Sequence, residues 1–440
     1  MIFCMVLFLA SVVTVLLLGK NLLWALLIGL GLFFGLGLRS GHSPRELASM
    51  AWKKGRESLI VVPIFLLIGT VTALWRASGT ISFFLYYGLN GIPARWFVLV
   101  AFVLSALLSF TLGTTYGVCG TAGVVLLALA RSGGVSVPLT AGAVLSGAFF
   151  GDRSSPMSSC ATLVAACTRT DLYSNVREML KTAALPMALT TAVFAAFSLQ
   201  NPIAVVDPRI LSVLRDNFSL GLPVLIPAAL MLVLPLFRVP VKWSMAASAL
   251  SALILSATVQ HMPLSAALLA ALRGYAPEQS ELSAILSGGG VVSMLTSSGV
   301  VLVTSLYSGI LEGIDALSPV RARVERLCAR AGLFPAAIAV SVLVVAIFCN
   351  QSVMVIMDTQ LLRDSYDRRG RPGQELAMDI ANSGVTLSGL IPWSIAQTVP
   401  LAMLGADISA VPYAVLLYLI PLCYFFTKKY FAPAQSPGAQ

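Results

Sequence analysis

Long apolar runs recur along the whole chain, parted by short polar or basic segments. Ile2 to Leu18 is followed at once by Leu22–Leu38. Neither run has a basic lead-in or a small-residue cleavage site, so both are expected as retained helices rather than as a signal peptide. Further runs fall near 58–76, 94–112, 117–130, 137–150, 156–168, 182–199, 219–237 and 241–258. Later ones lie near 263–272, 283–294, 295–313, 334–349, 351–362, 376–390, 391–405 and 410–427. A spanning helix needs about 20 residues. Several runs are shorter and interrupted by Gly, Pro and Ser, the mark of discontinuous or re-entrant helices. The pattern predicts an all-α polytopic membrane protein of about 10–12 transmembrane helices.

Composition agrees. Of 440 residues, 58% are hydrophobic and 10% charged, against roughly a quarter charged in a soluble domain. A water-soluble core cannot absorb that much apolar surface. The net charge of +10 comes from short basic clusters between apolar runs, which suit cytoplasmic loops and exclude nucleic acid as a partner. Arg39, Arg45, Lys53, Lys54 and Arg56 mark one such loop, and Arg321, Arg323, Arg326 and Arg330 another. The seven scattered cysteines and His42 and His261 form no zinc pattern.

Three polar breaks interrupt apolar sequence: Gly113–Gly117, Gly151–Pro156 and Asn382–Ser388. Non-helical backbone survives at membrane depth only where it is buried in protein or lines a wet cavity. The halves echo each other at offsets near 230 to 240: Leu67–Leu74 with Tyr307–Ile314, Gly113–Gly117 with Asn350-Gln351, and Asp152–Ser158 with Asn382–Ser388. One basic loop precedes its helix and the other follows it, which predicts inverted repeats. The expected organisation is two N-terminal helices and a basic loop (1–57), a first transport repeat (58–200), a connecting transmembrane region (201–294), a second, inverted repeat (295–430) and a short tail (431–440). Both termini are expected in the cytoplasm of a bacterial inner membrane.

An acid inside a span is costly and marks an ion path or a cavity. Asp152, Asp358 and Asp379 qualify, with Glu312 and Asp315 nearer an interface. Asp152 stands at a glycine-marked break beside Ser154, Ser155 and Ser158, an oxygen-rich set suited to sodium or a proton. The alternative is a snorkelling pair of Asp152 with Arg153 at a helix end. Asn350, Gln351, Asn382, Ser383, Thr386 and Ser388 either line a cavity or tie helices together.

These breaks resemble the NhaC-type Na+/H+ antiporter family. Gly113-Thr114-Thr115-Tyr116-Gly117-Val118-Cys119-Gly120-Thr121-Ala122-Gly123 is similar to its GTSWGTxGTxG signature. Thr140 to Arg153 with Ser155-Pro156 is similar to TAGAxxSGAxFGDxxSP, and Leu390-Ile391-Pro392-Trp393 to LIPW. The matches run in order from about residue 58 to 427. The resemblance implies a secondary transporter, not an enzyme, with no cofactor beyond transported sodium and protons. Members exchange sodium for protons or couple such gradients to small organic anions, malate–lactate exchange being one variant. Of the positions the family keeps, Thr114, Asp152, Ser155, Ser158 and Ser383 are present here; the reading that follows makes Asp152 the shared sodium and proton site, with Thr114, Thr115, Ser155, Ser158, Asn382, Ser383 and Thr386 as further ion or substrate ligands.

The chain departs from the family at two places. Where SP-x-S-D-T-T is usual, Ser159 replaces the acid; where L-E-D-S-G-T is usual, Ala381 and Asn382 replace two more. Asp379 is a substitute second acid if it turns inward. Fewer acids leave a second function open: a sodium- or proton-coupled carrier of a small organic anion or amino acid. Expected partners are therefore the bilayer, sodium, protons, a small organic anion under the second function, and a second copy of the chain in a homodimer. Phe150-Gly151-Asp152 also faintly resembles the G-x-G-D element of intramembrane aspartyl proteases, but no partner Tyr-Asp pair exists.

Overall fold

In a computed structural model the described residues are 2–431, apart from 19, 60–61, 92–93, 203–207, 238, 278, 280–281, 284–285 and 315–319. Asp315 and all but the first residue of the expected tail lie outside them. Helices account for the regular structure, and no strand occurs among the described residues.

The chain opens with α1 (Ile2–Leu17), α2 (Leu23–Arg39), α3 (Pro44–Ser58), α4 (Val62–Ala77) and α5 (Thr80–Gly91). Next come α6 (Phe97–Leu112), α7 (Thr115–Val118), a π-turn at Cys119–Gly123 and α8 (Val124–Ser132). They are followed by α9 (Val137–Ser154), α10 (Ser159–Thr168) and α11 (Leu172–Gln200). The middle holds α12 (Pro208–Asn217), α13 (Ile226–Leu236), α14 (Val241–Thr258) and α15 (Leu264–Arg273). The last part holds α16 (Leu295–Gly313), α17 (Arg321–Ala331), α18 (Leu333–Phe348) and α19 (Gln351–Asp367). It ends with α20 (Gly373–Asn382), α21 (Gly384–Leu387), α22 (Ile395–Leu404) and α23 (Val415–Phe431).

Among the described residues, Leu172–Gln200 and Val291–Gly313 are each long and apolar enough to cross a membrane. Two bent pairs pass the same test together: Val62–Ala77 with Thr80–Tyr87 at 61°, and Gly373–Leu390 with Ile395–Leu404 at 51°. Other apolar helices have 10–17 residues, about 15–25 Å at 1.5 Å per residue, less than the hydrocarbon thickness. Side-chain caps mark the helix starts after the breaks at Thr114, Ser158, Asn350 and Ser394, a broken architecture expected of a polytopic membrane protein with cavities at its breaks.

The segment 39–57, expected as a loop, is mostly helix. Ser43 and Glu46 form a reciprocal cap: the Ser43 N–H donates to Glu46 Oε2 at 2.9 Å, and the Glu46 N–H to Ser43 Oγ at 3.3 Å. Leu47 and Ala51 then pack with Ile310 of α16. The basic residues hid an apolar face one helical stripe wide.

Two stretches share one plan. α6 and α18 each have 16 residues, and α10 and α22 each have 10. Their starts are related by one offset of 236 positions: 97 to 333 and 159 to 395. The caps obey it too. Thr114 and Asn350 cap the helices after the first break, and Ser158 and Ser394 those after the second. Left-handed residues at Gly113 and Cys349, and again at Arg169 and Gly405, keep the same register. This register pairs Asp152 with Ser388, six positions away from the pairing with Asn382 expected from sequence. Residue identity is low, so the sequence echo slipped; helix ends and caps do not.

The arms are exchanged between two apolar clusters. Cys160 and Val164 of α10 pack with α18, α19 and α20, whereas Ile395 to Leu404 of α22 pack with α6, α8 and α9.

Candidate functional site

Glycine makes the first break possible. Gly113 has φ +67°, and a Cβ there would lie 2.6 Å from the Met157 carbonyl oxygen and 2.7 Å from the Ser158 nitrogen. The two breaks of the first stretch thus touch backbone to backbone, where no larger residue fits. At Gly147 a Cβ would meet the Phe102 carbonyl oxygen at 2.5 Å. That contact lets α9 press against α6 and carries Asp152 to the breaks.

Asp152 lies in the last turn of α9, 9% exposed. Its carboxylate faces the Thr115 N–H and hydroxyl and the Gln351 side chain. Thr115 and Gln351 are the first residues of the helical runs that follow the two equivalent breaks. Free N–H groups and the positive end of a helix both favour negative charge. The carboxylate opens on a cavity of about 340 Å³ lined by Thr114, Thr115, Asn350, Gln351 and Ser352, with Lys54 contributed by α3. Hard oxygen donors from both halves therefore meet around one acid.

The sequence-derived site residues divide. Asp152, Thr114 and Thr115 line the cavity. Ser155 donates to the Phe110 carbonyl at 2.6 Å. Ser158 donates to the Asp152 carbonyl and accepts the Cys160 and Ala161 N–H groups at 3.1 Å. Both serines are spent on shaping the break. Thr386 donates to the Ser383 carbonyl at 2.9 Å, and Ser383 to the Asp379 carbonyl at 2.6 Å.

Asn382 sits with Arg153, not in the cavity lining. The wholly buried Arg153 donates to Ser154 Oγ at 2.9 Å, the Met179 carbonyl at 3.2 Å, Thr182 Oγ1 at 2.8 Å and Asn382 Oδ1 at 2.5 Å. It neither snorkels nor pairs with Asp152, and it ties α9 to α11 and α20. Asp379 turns to Lys428, Tyr366 and Tyr424, the last at 3.1 Å. Lys428 also pairs with Glu375 at 2.9 Å. Asp379 is therefore balanced by a cation and does not line the cavity.

Lys54 and Ser352 are among the lining residues that the sequence-derived site lacked. Lys54 looked like one more loop cation; it pairs with Glu312 of α16 at 3.1 Å as it reaches the cavity. Ser352 follows the Asn350 cap, and only the 236-position register could have flagged it as the counterpart of Tyr116. Among the described residues no cluster of His, Cys, Asp and Glu could hold a resident metal.

Comparison with known proteins gives the lineage. The sequence profile of the Na+/H+ antiporter family matches residues 1–161 and 147–427. The chain is 28% identical over 406 residues to a malate-2H+/Na+-lactate antiporter of Bacillus subtilis, covering 90% of this chain and 87% of the relative. It is 25% identical over 397 residues to the Na+/H+ antiporter NhaC of Alkalihalophilus pseudofirmus, covering 88% and 85%. An arginine/ornithine antiporter of Halobacterium salinarum is 26% identical over 369 residues, covering 82% and 76%. The relatives are antiporters and not enzymes, which removes the protease alternative. With residues 1–427 of the 440 covered by these two matches, the protein belongs to the Na+/H+ antiporter family.

Proposed function

We propose that the protein is a secondary antiporter of the bacterial inner membrane that exchanges sodium for protons at Asp152. The observation that carries this reading is the Asp152 carboxylate, set between two helix starts and open to a polar cavity. Sodium prefers hard oxygen ligands, and Thr114, Thr115 and the Asn350 and Gln351 amides supply them beside the acid. A proton on the carboxyl removes the charge that holds sodium. One site thus binds either ion, and if only loaded forms cross, sodium movement one way drives protons the other. Exchange of this kind needs no cofactor. The two stretches related by 236 positions are the natural moving parts, as inverted repeats rocking about the cavity.

Proteoliposomes carrying a pH dye test it. Wild-type protein releases protons when sodium alone is added on the opposite side, and Asp152→Asn, folded and inserted, does not. Equal flux from both proteins ends the proposal.

A second reading has its own observation. Lys54 lines the same cavity, and two helix starts face it; all three favour an anionic group. A small organic anion carried with the cation suits this lining, and one relative is named for malate and lactate. Proton movement that requires an added organic acid, and that weakens in Lys54→Gln, supports this reading over simple exchange.

A further inference from the structure

A second intramembrane carboxyl lies outside the Asp152 cavity, on α19 beyond the lining residues Gln351, Ser352 and Ile356. Asp358 is 0% exposed. Its Oδ2 meets the Ser341 hydroxyl of α18, and its Oδ1 has no hydrogen-bond partner among the described residues. Ser341 Oγ lies 3.3 Å from Ser383 Oγ, and Ser383 donates to the Asp379 carbonyl at 2.6 Å.

Counting protons decides the state of this chain. With an ionised Asp358, the Ser341 proton points to the acid and the Ser383 proton to the carbonyl. Either the two hydroxyl oxygens then face each other with no proton between them, or Ser383 leaves the carbonyl to donate to Ser341; in both cases a buried charge rests on one hydrogen bond. Burial of an ion so poorly matched is strongly unfavourable. With a proton on Asp358 every donor is used once: the acid donates to Ser341, Ser341 to Ser383, and Ser383 to the Asp379 carbonyl.

Among the described residues, no cation pairs with the group. On the helices around α19, Asp379 and Glu375 turn to Lys428, Arg153 to Asn382, and Cys349 to Tyr307 at 2.8 Å. Arg363 of α19 itself donates to the Cys167 carbonyl at 2.9 Å, and Arg368 pairs with Glu325 of α17. Cys160 of α10 lines the Asp152 cavity.

We propose that Asp358 is a second proton-binding site of the transporter, its proton held in this conformation by the Ser341–Ser383 hydroxyl chain. It unloads when α18, α19 and α20 part and water reaches the carboxyl. Its place in the transport cycle rests on the exchange proposed above; its protonation does not.

Sodium and proton fluxes are measured together in proteoliposomes of wild type and Asp358→Asn. The amide reproduces the shape and donor of the neutral acid, so the variant folds and keeps sodium-driven flux, while protons moved per sodium fall about twofold. An unchanged ratio overturns the proposal. Loss of sodium flux from well-folded protein also overturns it, because Asp358 is then a sodium ligand or a scaffold. Infrared spectra of the purified protein give a readout independent of transport. A carboxylic-acid carbonyl band that shifts in Ser341→Ala supports the protonated chain, and absence of any such band refutes it whether or not the protein exchanges sodium.

Discussion

The stretch from Phe97 to Asp171 and the stretch from Leu333 to Asp407 repeat helix lengths, left-handed ends and side-chain caps at one offset, yet they carry different chemistry. Thr114 and Asn350 keep a double role in both: each caps a helix and lines the cavity. Asp152 opens on that cavity, whereas its counterpart Ser388 donates to the Val385 carbonyl at 2.8 Å and is buried. In the second stretch the buried Asp358 stands where the first has Ala122 in a π-turn. α9 runs unbroken, while its counterpart breaks at Ser383, with φ −117° and ψ −86°. The backbone plan fixes where helices stop; the side chains decide which stop opens an acid onto the cavity.

The largest expected effect comes from moving the acid. Asp152→Ser combined with Ser388→Asp transfers the carboxylate to the equivalent position, and sodium-dependent proton flux stays at the level of empty liposomes because residue 388 does not face the cavity. Recovery of flux would make the two positions interchangeable and erase the asymmetry.

Next is the pair of left-handed breaks. Gly113→Ala forces a Cβ onto the Met157–Ser158 backbone at positive φ and destabilises the protein by about 2–3 kcal/mol. Cys349 has φ +56° and already carries a Cβ; its thiol lies 2.8 Å from the Tyr307 hydroxyl. Cys349→Gly trades that contact for relief of backbone strain and shifts stability by no more than about 1 kcal/mol. Thermal unfolding in detergent ranks the two, and equal losses would contradict the packing account.

The smallest difference lies in the caps. Ser158 serves two N–H groups and the Asp152 carbonyl, whereas the Ser394 hydroxyl accepts the Ala396 N–H. Ser158→Ala should lower stability by about 1–2 kcal/mol and Ser394→Ala by about 1 kcal/mol. Since Ser158 also holds the turn bearing Asp152, its loss weakens sodium affinity as well, and the Ser394 change leaves affinity intact. Titration of sodium-driven flux in both variants tests this.

Hydrophobic patterning made the membrane class and the helical architecture legible, because lipid demands long apolar helices wherever the chain meets it. Polar breaks pointed to Asp152 and Thr114, whose position follows from local turn chemistry. Ser155, Ser158, Ser383 and Thr386 are absent from the cavity lining: Ser155 donates to the distant Phe110 carbonyl, and the other three donate to carbonyls only a few positions away in the chain. Lys54 stayed hidden because α3 places one basic residue on its inward stripe among several that face outward. The pairing of Asp379 with Lys428 links α20 to α23, 49 positions along the chain, a distance at which sequence patterning is silent.

Equilibrium binding of radioactive sodium to the purified protein reaches the central claim most directly, without requiring transport. The account predicts saturable binding to wild type that weakens as pH falls, because a proton and sodium compete for the Asp152 carboxylate, and no specific binding to folded Asp152→Asn. Sodium bound equally by both proteins, or bound independently of pH, would contradict it.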